Sequence, residues 1–144
     1  MVVQETFEVL TRGRGFESLT PKVEAILAKS GITSGLCNVF TQHTSASLLI
    51  TENADSAVRR DLERFMQRVA PDGSPDYEHD AEGPDDMPAH IRSVLTSATL
   101  TVPFASGELQ LVRGKAYTFG SIGTPDIVGR SSSRSPASAE VHTC

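Results

Sequence analysis

Residues 36–51 read Leu-Cys-Asn-Val-Phe-Thr-Gln-His-Thr-Ser-Ala-Ser-Leu-Leu-Ile-Thr, and this stretch decides the fold. Its two apolar halves predict strands over 36–42 and 46–51. The polar triplet His43-Thr44-Ser45 lies between them. A histidine and two hydroxyl groups therefore stand at a strand end, where functional side chains are often held by a rigid scaffold.

The segments on either side add strands and a helix. Before the stretch, alternating polar and apolar residues predict a strand over 2–10. Thr20 as N-cap, Pro21 and a closing Gly31 predict a helix over 20–30. Near the other end of the chain, 98–104 and 108–111 are predicted to form a hairpin that turns at 105–107.

Two further helices are predicted between these segments. Asp55 or Asn53 caps the first, whose apolar residues recur at helical spacing and predict a buried stripe. This stripe consists of Val58, Leu62, Phe65, Met66 and Val69. Pro88 lies near the start of the second, which is short. The order of strand, helix, two strands, two helices and strands predicts an α+β fold with a mostly antiparallel sheet.

Length and composition restrict the class of protein. A chain of 144 residues suits one domain, and no apolar run approaches the roughly 20 residues of a membrane-spanning helix, so we expect no membrane partner. Two cysteines, Cys37 and Cys144, and an N-terminus without the pattern of a secretory leader favour a cytoplasmic location. A net charge of −5 disfavours nucleic acid as a partner.

Three histidines, His43, His79 and His90, are candidate metal ligands. Neutral imidazole is the commonest metal ligand, and the acidic loop 71–86 places carboxylates near two of them. Their separations of 36 and 11 residues match no zinc-finger pattern, so a site has to assemble in three dimensions. Three unrelated surface histidines are the alternative interpretation.

The hydroxyl groups beside His43 suggest a second chemistry. A serine with a neighbouring base is the pattern of nucleophilic catalysis. Because adjacent residues of a strand point to opposite faces, a simple Ser–His pair is not predicted. Hydrogen bonds from these hydroxyls to a phosphate or to the turn backbone are the favoured interpretation.

Taken together, six segments resemble the YjbQ-type family, the secondary thiamine-phosphate synthases. The resemblance spans residues 3–111, and its last segment, EGPDDMPAHI, is the most specific. The six segments are Thr11–Phe16, Gly35–Phe40, His43–Ser47, Glu52–Asp55, Tyr77–Asp80 and Glu82–Ile91. This resemblance implies a compact α+β fold with a β-sandwich core, assembled as a homotrimer.

The resemblance also implies a site and an activity. A divalent metal ion, zinc or magnesium, would be held by His43, His79 and His90. The reaction would join a pyrimidine pyrophosphate to a thiazole phosphate and release pyrophosphate, so the partner would be a phosphorylated small molecule.

Catalytic residues follow from the same resemblance. These are His43, Asp86, Asn53 and Ser45, with Asp80 as a further polar neighbour. Two other functions stay open: a non-catalytic metal- or ligand-binding trimer, and a metal-dependent phosphate-ester hydrolase. Metal analysis combined with a His90→Ala variant would discriminate a binding protein from an enzyme.

The resemblance stops at Leu111, which divides the chain into a YjbQ-like domain, 1–111, without its C-terminal strands, and a divergent tail, 112–144. The tail is rich in serine, carries a net charge of +2 against −7 for the rest, and has no strand or helix periodicity. Codons for 112–123 read one base earlier permit Gly-Thr-Trp-Gln-Gly-Ile-Tyr-Leu-Trp-Glu-His-Arg, which is the family pattern. The sequence therefore predicts an irregular, frameshifted tail, and the shift explains the absence of tryptophan.

Overall fold

The computed structural model describes residues 2–9, 14–112, 114–121 and 137–143. Within these ranges the helices are α1 (Thr20–Ser30), α2 (Ser56–Val69) and α3 (Asp86–Leu95). The strands are β1 (Val3–Val9), β2 (Gly15–Ser18), β3 (Ser34–Thr41), β4 (Ala46–Glu52), β5 (Thr99–Ala105), β6 (Glu108–Leu109), β7 (Lys115–Ser121) and β8 (Ala137–Thr143). The short strand β2 was not predicted from the sequence.

The described strands form two antiparallel sheets, and an α+β fold is confirmed. One sheet has the order β1-β8-β3-β5-β6, and the other has the order β2-β7-β4. Buried side chains from both sheets and from α1 form one apolar cluster, which includes Val39 of β3, Leu48 of β4 and Leu27 of α1. The two sheets therefore share a core, as in the predicted sandwich.

Local chemistry explains the boundaries of α1. Gly31 ends the helix in a left-handed conformation with φ of 68°, which glycine adopts without steric cost. The predicted N-cap is displaced by one residue: Leu19 occupies that position, and its carbonyl accepts hydrogen bonds from Lys22 and Val23. Thr20 is instead the first helical residue.

Two other predictions are confirmed by local geometry. Asp55 is the N-cap of α2, where its Oδ1 accepts a hydrogen bond of 2.7 Å from the Ala57 amide. The β5–β6 hairpin turns at Ser106 and Gly107, which have φ of 56° and 75°. Both elements lie within two residues of the positions that the sequence predicted.

The predicted buried stripe of α2 is wrong for this chain. None of the stripe residues is buried, and Phe65 and Val69 are 49% and 43% exposed. The helical period predicted the amphipathic face correctly, but a period does not specify what covers that face. In the single chain, the core is built from the sheets and α1 instead.

The tail differs from the predicted irregular backbone. β7 pairs with both β2 and β4, and β8 pairs with both β1 and β3. Strands with unpaired edges offer rows of hydrogen-bonding groups, which favour added strands whatever the side-chain pattern of the added segment. The origin of the tail in a shifted reading frame stays a prediction.

Among the described residues, no helix has the length and apolar character needed to cross a bilayer.

Candidate metal centre

Three side chains converge beside the start of α3. The Nε2 atoms of His79 and His90 lie 2.8 Å and 3.2 Å from Oδ2 of Asp86. All three ligand atoms lie within 4.8 Å of one another. The two imidazole rings are 5.5 Å apart between centroids and are tilted by 53°. We call these three residues the histidine–aspartate cluster.

Helix spacing brings two members of the cluster together. Asp86 is the first residue of α3, and His90 is four residues further on. Residues four apart lie on the same face of an α-helix, one above the other, so both side chains are presented in the same direction. The pairing therefore follows from the DDMPAHI segment itself.

A folded-back loop supplies the third member. Residues 71–85 contain no helix or strand, yet backbone hydrogen bonds organise them: Gly73 donates to Pro84, and Gly83 donates to Asp80. At the start of the loop, Nη2 of Arg14 donates to both carboxylate oxygens of Asp72, a charge-assisted contact between residues far apart in sequence. The loop is thereby held so that His79 returns to α3.

The cluster is buried on one side and open on the other. The Asp86 side chain is 10% exposed, whereas those of His79 and His90 are 44% and 38% exposed. Ligand atoms about 2.1 Å from a tetrahedral ion lie about 3.4 Å from one another. The two imidazole nitrogens lie 2.8 Å and 3.2 Å from Asp86 Oδ2, slightly closer than that distance, so small outward movements of the imidazoles would admit an ion, with the open side left for further ligands.

His43 lies outside the cluster, in the turn between β3 and β4. Its Nδ1 lies 3.0 Å from the Ser45 amide and 2.8 Å from Ser45 Oγ. The sequence did not predict a Ser–His pair, but these residues are two apart rather than adjacent, and the turn brings their side chains together. The turn contacts α3 through Ser93, whose Oγ donates to the Thr44 carbonyl at 3.0 Å.

The remaining polar residues of the predicted site are not joined to the cluster. Among the described residues, no hydrogen bond or ion pair links Asn53 or Asp80 to His79, Asp86 or His90. Asn53 follows β4. Its buried Oδ1 has no hydrogen-bond partner among the residues that the structure describes.

One buried arginine beside the cluster was not predicted from the sequence. Arg92 of α3 is 3% exposed and contacts Glu63 of α2 through Nη1 at 3.2 Å. Arg92 lies two residues after His90, and its long stem allows a charged head to reach across to another element. A single charged residue in a short helix gives no signal of this burial.

The fold and the cluster define a class: an α+β sandwich that presents two imidazoles and one carboxylate on a helix and its preceding loop. The sequence profile of the UPF0047 protein YjbQ-like family matches residues 5–119. The chain belongs to this family, which confirms the resemblance.

Relatives and solved structures agree with this assignment. The UPF0047 protein of Synechocystis sp. is 44% identical over 108 residues, which are 75% of this chain and 74% of that protein. A YjbQ/UPF0047-family protein of Clostridium acetobutylicum superposes with a TM-score of 0.80 at 25% identity, covering 99% of both chains. A YbjQ-like protein from Sulfolobus solfataricus gives a TM-score of 0.83 at 20% identity, over 99% of this chain and 96% of that one.

These relatives correct the expected activity. The Clostridium protein is described as uncharacterised, the Sulfolobus protein as of unknown function, and the Synechocystis protein by a family name without a reaction. The expectation of thiamine-phosphate synthase activity was therefore wrong as an inference from the family. Motifs that identify a family identify a fold, whereas a reaction has to be argued from the site.

Proposed function

We propose that this protein binds a divalent transition-metal ion through His79, Asp86 and His90. The convergence of three ligand atoms within 4.8 Å carries the proposal. Two independent segments, the acidic loop and α3, supply them, so the convergence requires the folded chain. His43, although predicted as a ligand, is not a ligand in this proposal, because its Nδ1 faces Ser45 within its own turn.

The electrostatic arrangement supports a bound cation. Asp86 is largely buried, and a buried carboxylate is costly unless it is paired with a positive charge or a hydrogen-bond donor. Both imidazoles approach one of its oxygens, Oδ2. A divalent ion at this point would compensate the carboxylate and use the nitrogen lone pairs at the same time.

The donor set favours zinc over magnesium. Imidazole nitrogens suit zinc, copper, iron and nickel, whereas magnesium takes mainly oxygen ligands and keeps several waters. Three protein ligands leave at least one coordination position for an exchangeable molecule, which is the arrangement of reactive rather than purely structural zinc sites. A zinc ion bound there would polarise an oxygen atom of that molecule.

A metal titration tests the proposal. Metal-free protein is titrated with Zn²⁺ in a calorimeter, and we expect one ion per chain. Replacing Asp86 by Asn keeps the shape of the side chain but removes its charge. Removal of a group that only supports a ligand costs about 10–100-fold in metal affinity, so we expect Asp86→Asn to lose more than about 100-fold.

A matched control lies in the same loop. Asp80 is exposed and is not joined to the cluster, so Asp80→Asn should leave zinc affinity unchanged. Equal losses in both variants would show that the loop attracts cations by charge alone, and full binding by Asp86→Asn would overturn the proposal. Thermal unfolding of the metal-free variants verifies that each is folded.

Assembly and location complete the proposal. We propose a homotrimer in the cytoplasm, with a phosphorylated small molecule as its partner. Two observations support self-association: the uncovered apolar residues of α2 and, on β3, Leu36 and Phe40, which are 51% and 37% exposed. The sequence has only two cysteines, too few for a disulfide framework, which fits a reducing compartment. Light scattering coupled to gel filtration tests the trimer, and cell fractionation tests the location.

A further inference from the structure

An arginine-rich cleft separates β2 from α2. Its volume is about 480 Å³, within the range of small-molecule sites. One wall is the start of β2, including Phe16, and the other is one face of α2. The polar residues of that face are Ser56, Arg59, Arg60, Glu63, Arg64 and Gln67. None of the three members of the histidine–aspartate cluster lines this cleft.

The one carboxylate among the lining residues is already occupied. Glu63 Oε1 accepts hydrogen bonds from Arg92 Nη1 at 3.2 Å and from Gln67 Nε2 at 3.4 Å, and it lies 3.8 Å from Arg14 Nε. Arg92 is buried, and its Nε and Nη2 atoms have no hydrogen-bond partner among the described residues. Positive charge behind Glu63 is therefore only partly compensated.

The lining arginines differ in how they are held. Arg60 donates to Ser56 Oγ at 2.9 Å, and Arg64 pairs with Asp61 at 2.9 Å. Arg59 is half-buried and makes no hydrogen bond or ion pair with any described residue. Among the residues that line the cleft, three arginines (59, 60 and 64) stand against one carboxylate (Glu63), an excess of positive charge in a chain of net charge −5.

We propose that this cleft binds an organic oxyanion that carries a flat ring. A guanidinium presents its donors in a planar fork that matches a carboxylate or phosphate, and the Arg59 guanidinium has no hydrogen bond or ion pair with any described residue. Phe16 offers an aromatic surface on the opposite wall, against which a ring packs in an offset or edge-to-face arrangement. The cleft is distinct from the metal centre, so this inference goes beyond the proposed function.

Benzoate and its neutral analogue benzamide are the probes. Binding is followed by NMR, as changes in the backbone amide signals of the full chain. A chelator is present, so that no metal ion contributes to binding. We expect benzoate to bind and benzamide to bind at least about tenfold more weakly, since one charge-assisted hydrogen bond accounts for a factor of this size. Equal binding of the two probes would overturn the oxyanion part of the proposal.

Two arginine variants separate a specific contact from general charge. Arg59→Ala should weaken benzoate binding about tenfold. Arg68 is exposed in the last turn of the same helix and does not line the cleft. Arg68→Ala should therefore change benzoate affinity less than about twofold. Equal losses of benzoate affinity in both variants would overturn the proposal. Benzoate-induced changes confined to amide signals outside the cleft would also overturn it.

Two further measurements address the ring and the metal. Phe16→Leu should weaken benzoate but leave acetate unchanged, because acetate has no ring to pack. His90→Ala should bind benzoate as the unaltered chain does. If benzoate binding instead requires zinc and is lost in His90→Ala, the oxyanion binds at the metal centre and the cleft proposal fails while the metal proposal stands.

Discussion

Two histidine-bearing regions meet α3, and they use their imidazoles differently. In the histidine–aspartate cluster, the Nε2 atoms of His79 and His90 face the buried carboxylate of Asp86. Asp86 lies seven residues after His79 and one helical turn before His90. In the β3–β4 turn, residues 42–45, the Nδ1 of His43 faces the amide and hydroxyl of Ser45, two residues away. The first arrangement brings three potential ligand atoms within 4.8 Å of one another, and the second holds the side chain of His43 within its own turn.

The difference shows that a histidine's partner matters more than its presence. A ring nitrogen that accepts a hydrogen bond from its own backbone turn has its lone pair engaged and is not available for a metal. A ring nitrogen that approaches a carboxylate can exchange that contact for a metal ion held by both groups. The sequence predicts all three histidines as candidate metal ligands, and only their contacts in the folded chain distinguish them.

The largest expected effect is on zinc affinity in His90→Ala. Loss of one of three ligands should lower the affinity more than about 100-fold, measured by calorimetry on metal-free protein. His43→Ala should change it less than about threefold, since a contact within the turn does not reach the ion. If His43→Ala lost as much as His90→Ala, the turn would belong to the metal centre and the comparison would fail.

Part of this site could be predicted from the sequence. The DDMPAHI segment fixes Asp86 and His90 on one face of a helix, because helical spacing alone determines it. His79 was identified as a candidate, but its return to α3 depends on the loop contacts of Asp72 and Gly73, which no periodicity encodes. The contacts of His43 with Ser45 were not predicted, because resemblance groups residues without showing which atoms meet.

The fold was predictable where local chemistry decides it. The caps at Asp55 and Gly31 and the β5–β6 turn follow from single residues. The burial of the apolar face of α2 was predicted wrongly, because it depends on which element packs against that face and not on the sequence of the helix itself. The strands of the tail were missed for a related reason: pairing partners far away in sequence, not side-chain pattern, place β7 and β8.

The tail also carries a proposal about the gene. We propose that residues 112–144 are read in a shifted frame, from the codon pattern at 112–123 and the absence of tryptophan. The family profile matches residues 5–119, so the last eight matched residues, 112–119, lie beyond the proposed shift. Sequencing the coding DNA tests this. Tryptophan codons are expected one base earlier, and their absence would remove the proposal.

An intermediate effect is expected on stability in Ser45→Ala. The variant removes the hydroxyl that lies 2.8 Å from His43 Nδ1, and a hydrogen bond of this kind contributes about 0.5–1.5 kcal/mol. Urea unfolding measures the loss, with Ser34→Ala, an exposed serine without a described side-chain contact, as the control. Zinc affinity should stay unchanged in both. Unchanged stability in Ser45→Ala would mean that the Ser45 amide alone holds the ring.

The smallest effect is expected where the two regions touch. Ser93 lies three residues after His90 on α3, and its hydroxyl donates to the Thr44 carbonyl of the turn. This exposed hydrogen bond should contribute no more than about 0.5 kcal/mol, so Ser93→Ala should barely move the urea midpoint. The informative measurement is zinc affinity in Ser93→Ala and in His43→Ala combined with Ser93→Ala. If the turn and the histidine–aspartate cluster are independent, the changes in zinc affinity should be close to zero and should add in the double variant. A coupled loss of tenfold would mean that the turn positions α3 for the metal, so that His43 acts on the centre through Ser93 without being a ligand.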